Sequence, residues 1–128
     1  MLSSVALVSM GAAAGAVVRW LLGVSINELF PAIPPGTLVA NLLGGYLVGI
    51  AVETLAVPFP LAPELRLLVI TGFLGGLTTF STFSAEVTQL LQQGRVALAG
   101  AEILAHVVGS VILTMLGIAT VILVRRYT

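Results

Sequence analysis

The sequence predicts an all-α integral membrane protein with four transmembrane helices per subunit, the third of them broken near Gly75-Gly76. Three observations carry this expectation. Of 128 residues, 59% are hydrophobic and only 8% charged, whereas soluble domains carry about 25% charged residues. The apolar residues fall in runs of roughly 20, long enough to cross the hydrocarbon core as helices. Segments rich in proline, glycine and polar residues separate the runs. The chain therefore reads as a single transmembrane domain, residues 1–128. It has no cysteine, no aspartate, no lysine and one histidine. This excludes a disulfide framework and a thiolate metal site, and it leaves no nucleophile–base pair for an enzyme.

The first span covers residues 4–24. The segment MLSSVALVSMGAAAGAVVRW lacks a basic leader, and Arg19 follows the apolar run instead of preceding it. It is expected to be a retained helix and not a cleaved signal peptide. The linker SINELFPAIPPG follows, where Pro31, Pro34 and Pro35 stop the helix. The second span covers residues 37–55 and ends before VPFPLAPE. Pro63-Glu64 suits a first helical turn, which needs no proline N–H and whose positive end favours a carboxylate. The third span covers residues 63–91 with a break at 75–79, and QQGR forms a tight turn. The fourth covers residues 96–124. At 1.5 Å per residue it is about 43 Å long and must tilt or protrude from a ~30 Å core.

Four spans place both termini on one side of the membrane. Arg66, Arg125 and Arg126 then lie on that side, and Arg19 and Arg95 on the other. Basic residues in loops set insertion direction, so this near balance leaves two readings. Either one orientation wins through other features, or the chain inserts both ways and assembles as an antiparallel, dual-topology homodimer. Small residues recur at four-residue spacing at Gly11/Gly15, Gly45/Gly49, Gly72/Gly76 and Ala101/Ala105/Gly109. This pattern lets helix backbones approach closely in lipid, within one subunit and between subunits.

The candidate chemistry centres on GFLGGLTTFSTFSAE, residues 72–86. Broken backbone at membrane depth is tolerated only inside protein or beside a polar cavity. A break at Gly75-Gly76 frees carbonyls that suit a cation and N–H groups that suit an anion. Alternatively, the glycine pair accommodates a close helix. Hydroxyls follow the break at Thr78, Thr79, Ser81, Thr82 and Ser84, interleaved with Phe80 and Phe83. The two rings share a helix face, and their positive edges attract an anion weakly. Asn41 in the second span is either an interhelical hydrogen-bonding group or a donor to a passing anion. Glu102, His106, Ser110 and Thr114 recur every four residues along one face of the fourth span. Glu102 is expected near the membrane interface, leaving His106 without an intramembrane acid beside it. Arg19 snorkels to the surface or guards the mouth of an anion path. Glu86 is expected at a vestibule or at the interface.

GAVVRW, GTLVANLLGGYLVG and GFLGGLTTFSTFSAE, in this order and in a chain of this length and span number, resemble the Fluc (CrcB-type) fluoride channel family. The resemblance covers essentially the whole chain. It implies a fluoride-selective channel of the bacterial inner membrane that passively exports cytoplasmic fluoride, with two pores in an antiparallel homodimer. By similarity, Phe80 and Phe83 line the pore with Asn41 and the hydroxyls of Ser81, Thr82 and Ser84. Ser110 and Thr114 form a track ending at His106, where some relatives are expected to carry tyrosine. Arg19 and Glu86 belong to the vestibule. A structural sodium ion at the dimer interface is implied, held by the backbone carbonyls of Gly75 and Thr78. Fluoride and membrane lipid are the implied partners, and no nucleic acid is expected. The rival reading is a small dual-topology, proton-coupled multidrug exporter. That activity needs an ionisable carboxylate deep in a membrane helix, and the five glutamates here are expected in linkers or toward span ends.

Overall fold

The computed structural model describes residues 1–29, 34–56 and 62–127. Pro31 and the VPFPL part of the second linker, on which two of the predicted breaks rest, lie outside the described residues. The helices are α1 (Leu2–Ile26), α2 (Pro35–Thr54), α3 (residues 62–77), α4 (Phe80–Gln92) and α5 (Val96–Tyr127). With α3 and α4 taken as one interrupted span, four helical segments are long and apolar enough to cross a membrane. The chain is a multi-pass membrane protein. The last helix has 32 residues, about 48 Å, and outruns its expected end because Arg125 and Arg126 continue it.

Side chains satisfy both ends of α2. Pro35 opens α2, and the Gly36 N–H donates to Asn27 Oδ1 at 2.8 Å. At the other end of α2, Arg66 donates to the Leu55 carbonyl at 2.8 Å. Arg125 donates to the carbonyls of Glu53 and Thr54 at 3.0 and 3.2 Å and pairs with the Glu53 carboxylate at 3.4 Å. Guanidinium groups thus meet the negative end of that helix. The QQGR turn closes α4 with Gly94 at φ 73°. There the Gly94 N–H donates to Leu91 and the Arg95 N–H to Leu90, the two-bond C-terminal motif that favours glycine.

The glycine pairs are packing surfaces within the chain. A Cβ on Gly15 would strike the Phe73 carbonyl, and one on Gly76 the Ala12 carbonyl, so α1 lies directly on α3. A Cβ on Gly45 would lie 2.9 Å from the Ser110 carbonyl, and one on Gly49 would strike the Thr114 carbonyl, so α2 lies directly on α5. Two apolar clusters complete the core. Ala40, Leu74 and Leu77 are buried where α2 meets α3. Phe83, Val87 and Leu90, one stripe of α4, bury against Ala99 of α5.

The interruption of the third span falls at the end of the expected 75–79 stretch and leaves the glycine pair helical. Gly75 is helical, at φ −63° and ψ −35°, and Gly76 lies in the same helical turn. The extended residues are Thr78 (φ −83°, ψ 155°) and Thr79 (φ −150°, ψ 121°). The glycines let α1 approach; the β-branched threonines adopt the extended backbone that such residues favour. Ahead of them, Arg66–Leu74 winds in wider π-type turns.

Candidate functional site

Thr79 is the pivot of the site. Its side chain caps α4, Oγ1 accepting from the Thr82 N–H at 3.2 Å. Its extended peptide is gripped on both edges by Asn41: Oδ1 accepts from the Thr79 N–H at 2.7 Å, and Nδ2 donates to the Thr79 carbonyl at 3.0 Å. The amide thus serves the exposed peptide as a neighbouring strand would. Its remaining hydrogen points at His106 Nδ1, 3.0 Å away. The polarity of the Thr79 peptide fixes which end of the amide is nitrogen. His106 Nδ1 must therefore accept, and in the neutral ring the proton resides on Nε2.

The end of α3 is held from the other side. Arg19 Nε donates to the Gly76 carbonyl at 3.1 Å, so its charge turns inward to a helix C-terminus. The Thr78 N–H and Oγ1 both donate to the Leu74 carbonyl at 2.9 Å. The Thr79 N–H goes to Asn41 and not to the carbonyl of Gly75, four residues earlier. Likewise the Thr82 N–H goes to Thr79 Oγ1 and not to the Thr78 carbonyl. The interruption thus withholds from Gly75 and Thr78 the donors that an unbroken helix supplies.

Beside this junction lies a mainly apolar cavity of about 530 Å³. Asn41, Gly75, Thr78, Thr79, Phe80, Phe83, His106 and Ser110 line it. The two phenylalanines meet edge to face at 5.5 Å, and Phe83 lies against the His106 ring at 4.5 Å. Phe83 is buried, whereas Phe80 is 78% exposed.

The family model described as "CrcB-like protein, Camphor Resistance (CrcB)" matches residues 6–118. The chain belongs to the CrcB-like family. A protein of Tolumonas auensis named fluoride-specific ion channel FluC is 68% identical over 126 residues, covering 98% of this chain and 99% of its own. One from Chromobacterium violaceum with the same name is 56% identical, covering 98% and 100%. Another from Nitrosomonas europaea is 57% identical, covering 89% and 90%. All three names are those of ion channels, not enzymes.

In this CrcB-like chain the predicted site residues divide into groups. Asn41, Phe80, Phe83, His106 and Ser110 share the cavity. Ser81 and Ser84 lie on the exposed face of α4, in a groove that also includes Phe80, Thr88 and Gln92. Thr82 faces a third hollow with Arg19, Trp20, Thr37 and Thr79. Thr114 turns its hydroxyl to the carbonyls of Gly45 and Ser110, at 3.0 and 2.9 Å, and so bonds α2 to α5. Phe80 borders two of these hollows and Thr79 two, so the three adjoin.

One expectation is corrected, and one residue is more enclosed than its sequence position suggests: Glu102 is 2% exposed, covered by protein. His106 therefore does have acids beside it, because Glu86 and Glu102 each bring a carboxylate oxygen within 4.8 Å of a ring nitrogen. The recurrence of Glu102 and His106 on one helical face was visible in the sequence, but the packing of α4 over that face was not. Thr37 was missed. It donates to Glu86 Oε1 at 2.7 Å, and its one available signal was its position one turn before Asn41.

Proposed function

We propose that the protein is a fluoride-selective channel that lets cytoplasmic fluoride leave the cell passively across the bacterial inner membrane. The observation that carries this reading is the cavity where Asn41, Phe80, Phe83, His106 and Ser110 converge, in a chain 68% identical to a protein named for fluoride conduction. Fluoride holds its water tightly, so a pore must offer substitutes without trapping the ion. Ring edges of Phe80 and Phe83 and the hydroxyls of Ser81, Thr82, Ser84 and Ser110 are weak, repeated partners of this kind. Both amide hydrogens of Asn41 are engaged by protein, so an ion takes one only as His106 releases it. In this reading Arg19, in the hollow beside Thr79 and Thr82, and Glu86 belong to the approach. The fit to passage by many weak contacts argues against a transporter with one strong site.

Two copies assembled antiparallel complete the pathway in this reading. Its support is that Phe80, Val107 and Val111, three walls of the cavity, are exposed on the single chain. A structural sodium ion suits the carbonyls of Gly75 and Thr78, which lack their helical donors. Bound there, it would neutralise the negative end of α3. Sizing the purified protein with and without sodium checks both points; a monomer in sodium would remove the assembly.

The channel reading is tested by fluoride efflux from liposomes containing the purified protein, with chloride as control. Fast fluoride efflux without chloride leakage or a proton gradient is expected. One observation favours a second reading, proton-coupled export, namely the buried Glu102 carboxylate. Transport that stops without a proton gradient would establish that reading instead.

Phe80→Ile is expected to slow fluoride efflux about tenfold, the effect of losing about 1.4 kcal/mol at the barrier. The fold should survive, because this ring is largely exposed. Unchanged efflux in a folded Phe80→Ile protein would remove the ring from the pathway.

A further inference from the structure

Glu86 on α4 and Glu102 and His106 on α5 form a cluster that the ion pathway does not use fully. One ligand atom from each lies within 4.8 Å of the other two. Glu102 is 2% exposed and His106 4%. Glu86 Oε2, both carboxylate oxygens of Glu102 and His106 Nε2 are buried without a hydrogen-bond partner. Buried polar groups are almost always partnered, and two adjacent buried carboxyl groups are relieved either by a proton shared between them or by a cation. The ion pair among the described residues is Arg125–Glu53, at the far end of α5, so no guanidinium supplies that charge.

We propose that this cluster binds a divalent transition-metal cation of the zinc type. The donor set decides the class: one imidazole nitrogen and two carboxylate oxygens suit zinc, whereas magnesium and calcium prefer six or more oxygens. Ligands at about 2.1 Å from a tetrahedral ion stand about 3.4 Å apart. Each of the three therefore closes by less than about 1 Å from its present place. Three protein ligands leave a fourth position for water. With the unpartnered Glu86 Oε2 and His106 Nε2 taken as the ligand atoms, Thr37 holds the other oxygen of Glu86 and Asn41 the other nitrogen of His106, which orients both ligands.

Metal binding has a consequence for the chain break. In the present geometry Nδ1 accepts from Asn41, so Nε2 carries the ring proton. The metal needs the Nε2 lone pair. On binding, Nε2 gives up its proton to solvent and Nδ1 gains one, leaving the ring neutral. Nδ1–H then faces the Asn41 NH2 donor to donor, and that bond is lost. Asn41 grips Thr79, and Phe83 lies on the His106 ring, so an occupied site inhibits the pathway. The binding site stands on its own geometry; the inhibition rests on the channel reading.

The test uses the intact protein and zinc chloride, with magnesium as control. Stoichiometric zinc binding is expected by calorimetry, together with at least a tenfold slowing of fluoride efflux (about 1.4 kcal/mol) and no effect of magnesium. The chain has one histidine, so 15N-histidine spectra report His106 alone; its proton should move from Nε2 to Nδ1 as zinc binds. Glu102→Gln should conduct without zinc but bind it at least about 100-fold more weakly. Absent binding, or zinc affinity unchanged in Glu102→Gln, overturns the site. Should that variant not fold, unshifted His106 signals at saturating zinc in the parent protein overturn it equally. Zinc binding with shifted signals in a protein that does not conduct would sustain the site and refute the channel reading.

Discussion

Asn41→Ala detaches the interrupted helix and stops conduction. The amide makes two hydrogen bonds to the extended Thr79 peptide and a third to His106. Without it, a peptide N–H and carbonyl are left unpaired at membrane depth, where no water replaces the partner. At about 1–3 kcal/mol for each buried group left unsatisfied, the loss is about 2–6 kcal/mol. Asn41→Asp gives a sharper comparison, because it keeps the shape. One carboxylate oxygen still accepts from the Thr79 N–H, but the other faces the Thr79 carbonyl as acceptor against acceptor. Aspartate should therefore rescue neither stability nor flux. The single tryptophan, Trp20, lines the hollow next to Thr79, and its fluorescence follows unfolding. Parent-like unfolding midpoints for both variants would show that Asn41 does not hold the break.

Gly49→Val drives α2 and α5 apart. The added Cβ would meet the Thr114 carbonyl oxygen, the Thr114 carbonyl carbon at 3.0 Å and the Ile118 nitrogen at 3.1 Å. All three are backbone atoms, so no side-chain rotation relieves the collision. Gly117 faces the same seam from the other helix, where an added Cβ would lie 3.2 Å from the Gly49 Cα. Overpacking typically costs about 1–3 kcal/mol and more where nothing can move, so at least about 3 kcal/mol is expected here. The same displacement separates Asn41 on α2 from His106 on α5, so flux falls with stability. Gly100→Ala is the control. No atom lies within 4 Å of its added Cβ, and alanine in a helix gains roughly 0.5–1 kcal/mol over glycine. Equal unfolding midpoints for Gly49→Val and Gly100→Ala would refute this account of the seam.

Much of the fold was legible because the bilayer imposes simple demands. Long apolar runs must be helical, since every backbone group has to be satisfied within its own segment. Pro35 and Gly94 marked an end and a turn through their own backbone chemistry. The spacings Gly11/Gly15, Gly45/Gly49 and Gly72/Gly76 announced close contacts, and the structure uses each pair inside one chain. What stayed open shows the limit of that logic. Glycine marks both chain breaks and close approaches, and the residue type does not distinguish them. Only the position of α1 assigns Gly76 to packing and narrows the break to Thr78 and Thr79.

The candidate site divides in the same way. Periodicity alone put Phe80 with Phe83, and Glu102 with His106 and Ser110, because those pairs lie on single helices where 3.6 residues per turn decides the face. The residue types, the span count and the CrcB-like pattern were likewise local properties of the chain. Which hydroxyls meet the cavity was not: Ser110 lines it, Thr114 bonds to Gly45, and Ser84 faces outward. Nor could spacing show that Asn41 reaches Thr79, 38 residues away, or that Glu86 and Glu102 are neighbours. Those contacts depend on how each helix is rotated about its own axis. That rotation is set by the glycine seams and the buried stripe of α4, through packing between segments far apart in the chain.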